Sequence, residues 1–275
     1  LINKCPLIIL KKLYLDKFYI MKERKMENII KIKNIKLGEG APKICVPVIE
    51  KTEKEIIKYI KYINKLPIDI IEWRADFYLE DIIYNEESEI NIIEISKSIK
   101  KITNKPIIFT MRSYKEGGKL KNDFYNNIID IYKTVIKNKC FDLIDLEILT
   151  LKERDIKNII KLAKENNIKT IISNHDFNKT PSKKHIVYII NKMIKLKCDI
   201  SKVAYMPKNK KDVINLLEAV SEIKDFPIIA ISMGKLGIIT RIFGSVITFA
   251  SAKSSSAPGQ IEAMKLKYIL DNLYN

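Results

Sequence analysis

The 275-residue chain carries 50 Lys and Arg against 33 Asp and Glu, a formal charge of +17, with 47% hydrophobic and 30% charged residues. That balance is a globular protein's, with length enough for one barrel-type or doubly wound domain or for two small ones, and it excludes a disordered chain. Four widely spaced cysteines without a CxxC pair exclude a disulfide frame and are read as reduced thiols, and no His/Cys spacing suits a metal.

The excess charge would suit a nucleic acid or an anionic membrane. The lysines, however, are scattered along helix faces, as in EKEIIKYIKYINK (53–65), and are not gathered into a stripe of arginines and aromatics. Neither partner is expected. The first 25 residues, LINKCPLIILKKLYLDKFYIMKERK, differ from the rest. Their apolar piece PLIIL is too short to span a bilayer and no small-residue cleavage site follows it; Met21 and Met26 are both placed where a chain could start. Residues 1–25 are read as a poorly ordered extension, and residues 26–275 as one domain.

Beyond the extension, apolar β-branched runs alternate with amphipathic helical stretches. Strand-like KICVPV (43–48) precedes a helical pattern over 52–65, and IDIIEWRAD (68–76) precedes one over 85–104. KPIIFTMRS (105–113), FDLIDLEI (141–148), KTIISNHDF (169–177) and ISKVAYMP (200–207) lead into helices near 122–139, 151–166, 181–197 and 209–224. Thr180-Pro181 is read as a cap with Pro at the first helical position. FPIIAISMG (226–234) is followed by a short helix, and GSVITFAS (244–251) by a last one from about 260. Eight near-continuous apolar strands alternating with helices predict the α/β class and a parallel, helix-covered sheet; eight units match a single (β/α)8 TIM barrel. An open doubly wound sheet usually carries fewer strands and a Gly-rich first turn, and no GxGxxG follows a strand here.

In such a barrel the active site lies at the C-terminal ends of the strands. The second strand ends in Glu72, Arg74 and Asp76, whose alternation places all three on one face. The third leads to Arg112, Glu116 and the Gly117-Gly118 turn, and the fourth carries Asp145 and Glu147. The fifth ends at His175, one of only two histidines; the other, His185, lies on a helical face and is expected in solvent. The sixth carries Lys202 in an apolar setting, where a cation is expensive, unless it sits at the strand's entrance and points outward. One helix separates His175 from Lys202, so their strands are adjacent. A lysine amine can form an imine with a ketone, and an imidazole beside it can move a proton on the next carbon. Arg74, Arg112 and Arg241 could hold a carboxylate through bidentate contacts. The residues thus point to a carbonyl substrate bearing an acid group, imine activation and proton abstraction beside the carbonyl.

The set EWRAD, FTMRS, SNHDF, KVAYMP and SAPGQ, in this order from about Ile32 to the C-terminus, resembles the type I 3-dehydroquinate dehydratases of the shikimate pathway. The resemblance implies a cytoplasmic, commonly dimeric barrel enzyme without metal or organic cofactor, converting 3-dehydroquinate to 3-dehydroshikimate by syn elimination. It implies Lys202 as the imine-forming lysine, His175 as the general acid/base and Glu116 as the acid that orients it. Glu72, Arg74 and Arg112 would hold substrate hydroxyls and carboxylate, Arg241 would pair with the carboxylate, and Ser256 and Gln260 would belong to a closing loop. Two departures are visible. Pro47 stands where a serine is frequent, and the segment after Arg241, TRIFGS, is about four residues short, which draws Arg241 toward the eighth strand. Other readings are a lysine-imine lyase of aldolase type acting on a keto acid, a catalytically impaired relative and, furthest off, a basic nucleic-acid-binding module. SSSAPGQ (254–260) is not a Gly-rich phosphate cradle, which weighs against a sugar-phosphate aldolase.

Overall fold

The computed structural model describes residues 29–80, 86–120, 125–253 and 256–274; the expected extension over residues 1–25 lies outside them. Each of the eight predicted runs forms a strand, because Ile, Val and Phe on both faces can be buried only where helices cover one side and a packed interior fills the other. The strands are β3 (Lys43–Val48), β4 (Ile70–Arg74), β5 (Ile107–Thr110), β6 (Leu143–Glu147), β7 (Lys169–Asp176), β8 (Ile200–Tyr205), β9 (Ile228–Ser232) and β10 (Ile247–Ser251). Neighbours from β3 to β9 pair in parallel, and β10 pairs with β3. Between β9 and β10 the curled sheet is joined by few bonds. Val246 N donates to Ile228 O at 2.9 Å, and the Ser245 hydroxyl accepts from Ala230 N at 2.9 Å while donating to Ala230 O at 3.2 Å. The result is the TIM-barrel fold.

The helices α1 (Glu53–Ile63), α2 (Ala75–Tyr78), α3 (Glu86–Ile102), α4 (Tyr125–Lys137), α5 (Glu153–Glu165), α6 (Lys183–Lys195), α7 (Lys210–Glu222) and α8 (Ala263–Tyr274) follow the strands. Their apolar stripes, such as Ile56, Tyr59, Ile60 and Ile63 on α1, pack against the outer faces of the strands. Trp73, Phe109 and Phe141 form an aromatic cluster in this layer, with Phe109 and Phe141 stacked at 4.8 Å between centroids. The start of α6 differs from the expectation at Thr180-Pro181. Ser182 is the N-cap, its side chain accepting from His185 N, and the Thr180 hydroxyl instead donates to Met206 O. A serine two residues on supplies the same capping chemistry, so the Pro falls outside the helix.

Three strands were not anticipated. β1 (Ile30–Ile32) and β2 (Ile35–Leu37) form an antiparallel hairpin whose Ile30, Ile32, Ile35 and Leu37 join Ile70, Ile108, Leu143 and Ile171 in the barrel's inner cluster. The alternation IKIKNIKL carries this signal, but three-residue strands have no stability outside a larger core. β11 (Ile261–Glu262) pairs with the end of β10, Ala250 opposite Ile261. The β10–β3 ladder stops at Phe249–Cys45, two residues before Pro47, which has no N–H to offer. Cys45, Cys140 and Cys198 are buried free thiols. Among the described residues no helix is long and apolar enough to cross a membrane.

Candidate active site

β7 and β8 run in register with Ser173 opposite Lys202 and His175 opposite Ala204. Adjacent inward-facing positions therefore bring the imidazole and the amine to one end of the barrel. Lys202 is 4% exposed, so the outward-pointing alternative is excluded. Its Nζ lies 2.9 Å from Asp145 Oδ2 and 3.4 Å from Glu72 Oε1, and 4.5 Å over the Phe249 ring. The cost of placing an ammonium in an apolar strand is offset by these partners. Asp145 is fully enclosed, which by itself would raise its pKa, yet Arg112 and Lys202 hold it down at about 2.

Glu116 ends a short 3-10 turn, Tyr114–Glu116, after β5. Its Oε2 lies 2.8 Å from His175 Nδ1 and accepts the His175 backbone N–H at 3.0 Å, and its Oε1 accepts from Asn174 Nδ2 at 3.2 Å. An ionised Glu116 accepts from Nδ1–H, which is the tautomer whose Nε2 carries no proton. Burial and the nearby cations Arg112, Lys202 and Arg74 push the His175 pKa well below the usual imidazole value. Burial and the neighbouring Glu147 push the Glu116 pKa up, against Arg112 and the Asn174 hydrogen bond, which pull it down. The turn that carries Glu116 depends on Gly117. Its φ is +80°, and a Cβ there would stand 2.4 Å from Phe177 Cε2, so the ring can close over the backbone only at a glycine.

The three arginines expected as carboxylate ligands are not equivalent. Arg74 is gripped by Asp76 through Nε at 2.8 Å and a terminal nitrogen at 2.9 Å. β4 stops at Arg74 and Asp76 falls in α2, so the expected single face of Glu72, Arg74 and Asp76 does not form; Asp76 serves as the arginine's clamp. Arg112 donates to Asp145 Oδ2 at 2.9 Å, Glu147 Oε1 at 3.1 Å and Ser173 Oγ at 2.8 Å. Arg241 alone faces no carboxylate among the described residues. It ends the short helix Ile238–Arg241 and donates to Phe249 O of β10 at 3.2 Å and to Pro258 O at 3.1 Å. Its Nε is buried without a partner, and burial lowers its pKa to about 10.

Ser256 and Gln260 bond each other, Ser256 N to Gln260 Oε1 at 3.0 Å and Gln260 Nε2 to Ser256 Oγ at 3.1 Å. All nine side chains named from the sequence (Glu72, Arg74, Arg112, Glu116, His175, Lys202, Arg241, Ser256 and Gln260) line one cavity. Phe177, Met233 and Phe249 supply apolar walls. His185 is exposed on α6. Pro47 does not line the cavity. Sequence reasoning noticed Asp145 and Glu147 without placing them in the site, and it missed Ser173, Asn174 and Tyr205. A charge at period two in an apolar strand was the signal for Asp145. Ser, Asn and Tyr in strands carry no comparable signal. Among the described residues, no three His, Cys, Asp or Glu side chains are grouped so as to hold a metal ion.

The sequence model of the type I 3-dehydroquinases matches residues 44–275. The chain is similar to the 3-dehydroquinate dehydratase of Clostridium kluyveri, 42% identical over 255 residues, covering 89% of this chain and 97% of that protein. It is equally similar to that of Clostridioides difficile, 42% identical over 259 residues and covering 90% of this chain and 98% of the relative. Among solved structures, the type I 3-dehydroquinate dehydratase from Clostridium difficile with covalently modified comenic acid superposes with a TM-score of 0.81 at 42% identity, over 90% of this chain and 98% of that one. The 3-dehydroquinate dehydratase from Geobacillus kaustophilus gives 0.84 at 31% identity, over 91% of this chain and 98% of that one.

Proposed function

The chain belongs to the type I 3-dehydroquinase family, and on that premise we propose that it dehydrates 3-dehydroquinate to 3-dehydroshikimate through an imine on Lys202. The observation that carries this reading is the meeting, in one cavity, of a buried lysine, an imidazole beside a carboxylate and an arginine with no acidic partner among the described residues. The Lys202 amine attacks the C3 ketone and water is lost as the C=N bond forms. The iminium withdraws electrons from C2, whose proton passes to His175 Nε2. The same imidazole then gives that proton to the C1 hydroxyl, which leaves as water while the C1–C2 double bond forms. Both transfers use one nitrogen from one side of the ring, so the elimination is syn. A second water cleaves the imine and returns the lysine. That the Clostridium difficile relative was solved with covalently modified comenic acid supports a covalent step. Asp145 and Glu72 flank Nζ and Phe249 lies below it, three groups suited to a cation at that nitrogen in the intermediate.

The substrate carboxylate is assigned to Arg241, since Arg74 and Arg112 are already engaged by side chains of the protein. Arg241→Ala should raise KM by about tenfold to a hundredfold, the worth of charge-assisted hydrogen bonds, and change kcat far less. Steady-state kinetics decide it, and an unchanged KM would move the carboxylate elsewhere in the cavity. The reaction itself is tested by mixing the purified protein with 3-dehydroquinate and following the ultraviolet band of the conjugated enone. The band should grow. Folded protein that produces none would leave the keto-acid lyase and impaired-relative readings.

A further inference from the structure

The proposed reaction uses Glu116 only as the partner of His175, yet Glu116 is itself held from behind. Tyr205 OH donates to Asn174 Oδ1 at 2.8 Å, and Asn174 Nδ2 donates to Glu116 Oε1 at 3.2 Å. Neither Tyr205 nor Asn174 lines the cavity. Asn174 sits between Ser173 and His175 on β7, and Tyr205 follows Ala204 on β8, so both have the opposite parity to the side chains that face inward. Tyr205 is fully buried and Asn174 is 5% exposed. Burial, with Glu116 and Asp176 nearby, raises the phenol's pKa further above its usual value, so the group stays a hydrogen-bond donor.

We propose that Tyr205 and Asn174 are positioning residues, which through Glu116 fix the tautomer and orientation of His175. This rests on the general acid/base role proposed for His175. Among the described residues, the Glu116 oxygens accept from the Asn174 amide, the His175 backbone N–H and, at 3.5 Å, the Arg112 guanidinium, with His175 Nδ1 2.8 Å away. That set favours an ionised carboxylate, and an ionised carboxylate requires the proton on Nδ1. Opposing it are burial and the negative charges of Glu147 and Asp145 on β6. The balance is close, so one donor matters. Asn174 can present its NH2 to Glu116 only while its Oδ1 is satisfied on the other side, and Tyr205 is the group that does this. Without the hydroxyl, Oδ1 is buried and unpaired, and nothing then fixes which end of the amide faces Glu116. A turned amide offers oxygen to oxygen, favours a protonated Glu116 and shifts the imidazole proton to Nε2, where the base must be free. The logic is that of an orienting group behind a catalytic histidine, which sets the tautomer without meeting the substrate.

Tyr205→Phe removes one oxygen and nothing else. Its kcat should fall about tenfold, of the order of one hydrogen bond, with KM within about twofold of wild type. Borohydride trapping of the Lys202 imine should persist, showing an intact cavity. Asn174→Ala should lower kcat at least as much, and adding Tyr205→Phe to it should cost nothing further, because both act through one path. An unchanged kcat in Tyr205→Phe, or an additive loss in the double variant, overturns the proposal. Should Tyr205→Phe fold poorly, Asn174→Ala with its split between kcat and KM carries the test, and an unchanged kcat there overturns it equally. Wild-type protein that forms no enone in the same assay removes the dehydratase reading itself, an outcome distinct from a null result in the variants.

Discussion

Lys202→Ala should abolish turnover, with kcat/KM lower by about 10⁴-fold or more, the scale seen when a covalent nucleophile is deleted. No imine can form without Nζ, so borohydride with 3-dehydroquinate should add no mass to the variant while adding one reduced ligand to the wild type. The fold should survive the change. Asp145 keeps Arg112 at 2.9 Å and the Ser173 hydroxyl, and Glu72 keeps the Thr110 hydroxyl at 3.0 Å, so no buried carboxylate is left without a partner. The substrate should still be held by Arg241, and a competitive, non-reacting carboxylic acid should bind the variant with near-normal affinity. Residual activity within a hundredfold of wild type would show that the ketone reacts without becoming covalent and would end the imine reading.

His175→Ala should lower kcat by about 10³-fold, in the range of a general acid/base that serves more than one step. Here the imine is the species expected to accumulate, because binding and nucleophile remain while C2 deprotonation and C1 protonation are lost. Intact-mass measurement after borohydride should therefore show the adduct, the reverse of the Lys202→Ala result. The wild-type pH profile follows from the surroundings of the ring. Burial and the cations Arg112 from the end of β5, Lys202 from β8 and Arg74 from β4 disfavour the imidazolium, against the adjacent carboxylate of Glu116. A base with a lowered pKa stays neutral to lower pH. The acid limb of kcat/KM should accordingly lie below pH 6.5, the ordinary imidazole value. A limb centred above 6.5 would mean that protonation of Glu116, and not of the ring, switches off the base.

The sequence carried a good deal of this. Eight apolar runs with helices between them are enough for a parallel barrel, because strands buried on both faces leave few other arrangements. Placing chemistry at the strand ends then needs only the direction of the chain. Lys202 and His175 were legible because a charge and an imidazole at inward positions of apolar strands have no packing explanation, and Glu72 and Arg112 for the same reason. Local chemistry was less secure: the cap of α6 moved by two residues because Thr180 and Ser182 are equivalent donors and acceptors until the chain is folded.

The tertiary structure decided what depends on distance. From sequence, Arg74, Arg112 and Arg241 are three like candidates for one carboxylate. Folding pairs the first with Asp76 and the second with Asp145 and Glu147, and leaves the third facing the cavity with no anion of its own among the described residues. The hairpin at Ile30–Leu37 needed the barrel's inner cluster before three-residue strands could persist. Tyr205 and Asn174 lie on the side of their strands turned away from the substrate, where a polar residue looks like any other half of a β alternation. Their connection to Glu116 spans 89 and 58 positions of sequence, and hydrogen bonds over such separations exist only once β5, β7 and β8 are packed together. Residue type and spacing determine which groups are available for catalysis; which of them are already satisfied, and which still have a valence to offer a ligand, is settled by the partners that folding brings within 3 Å.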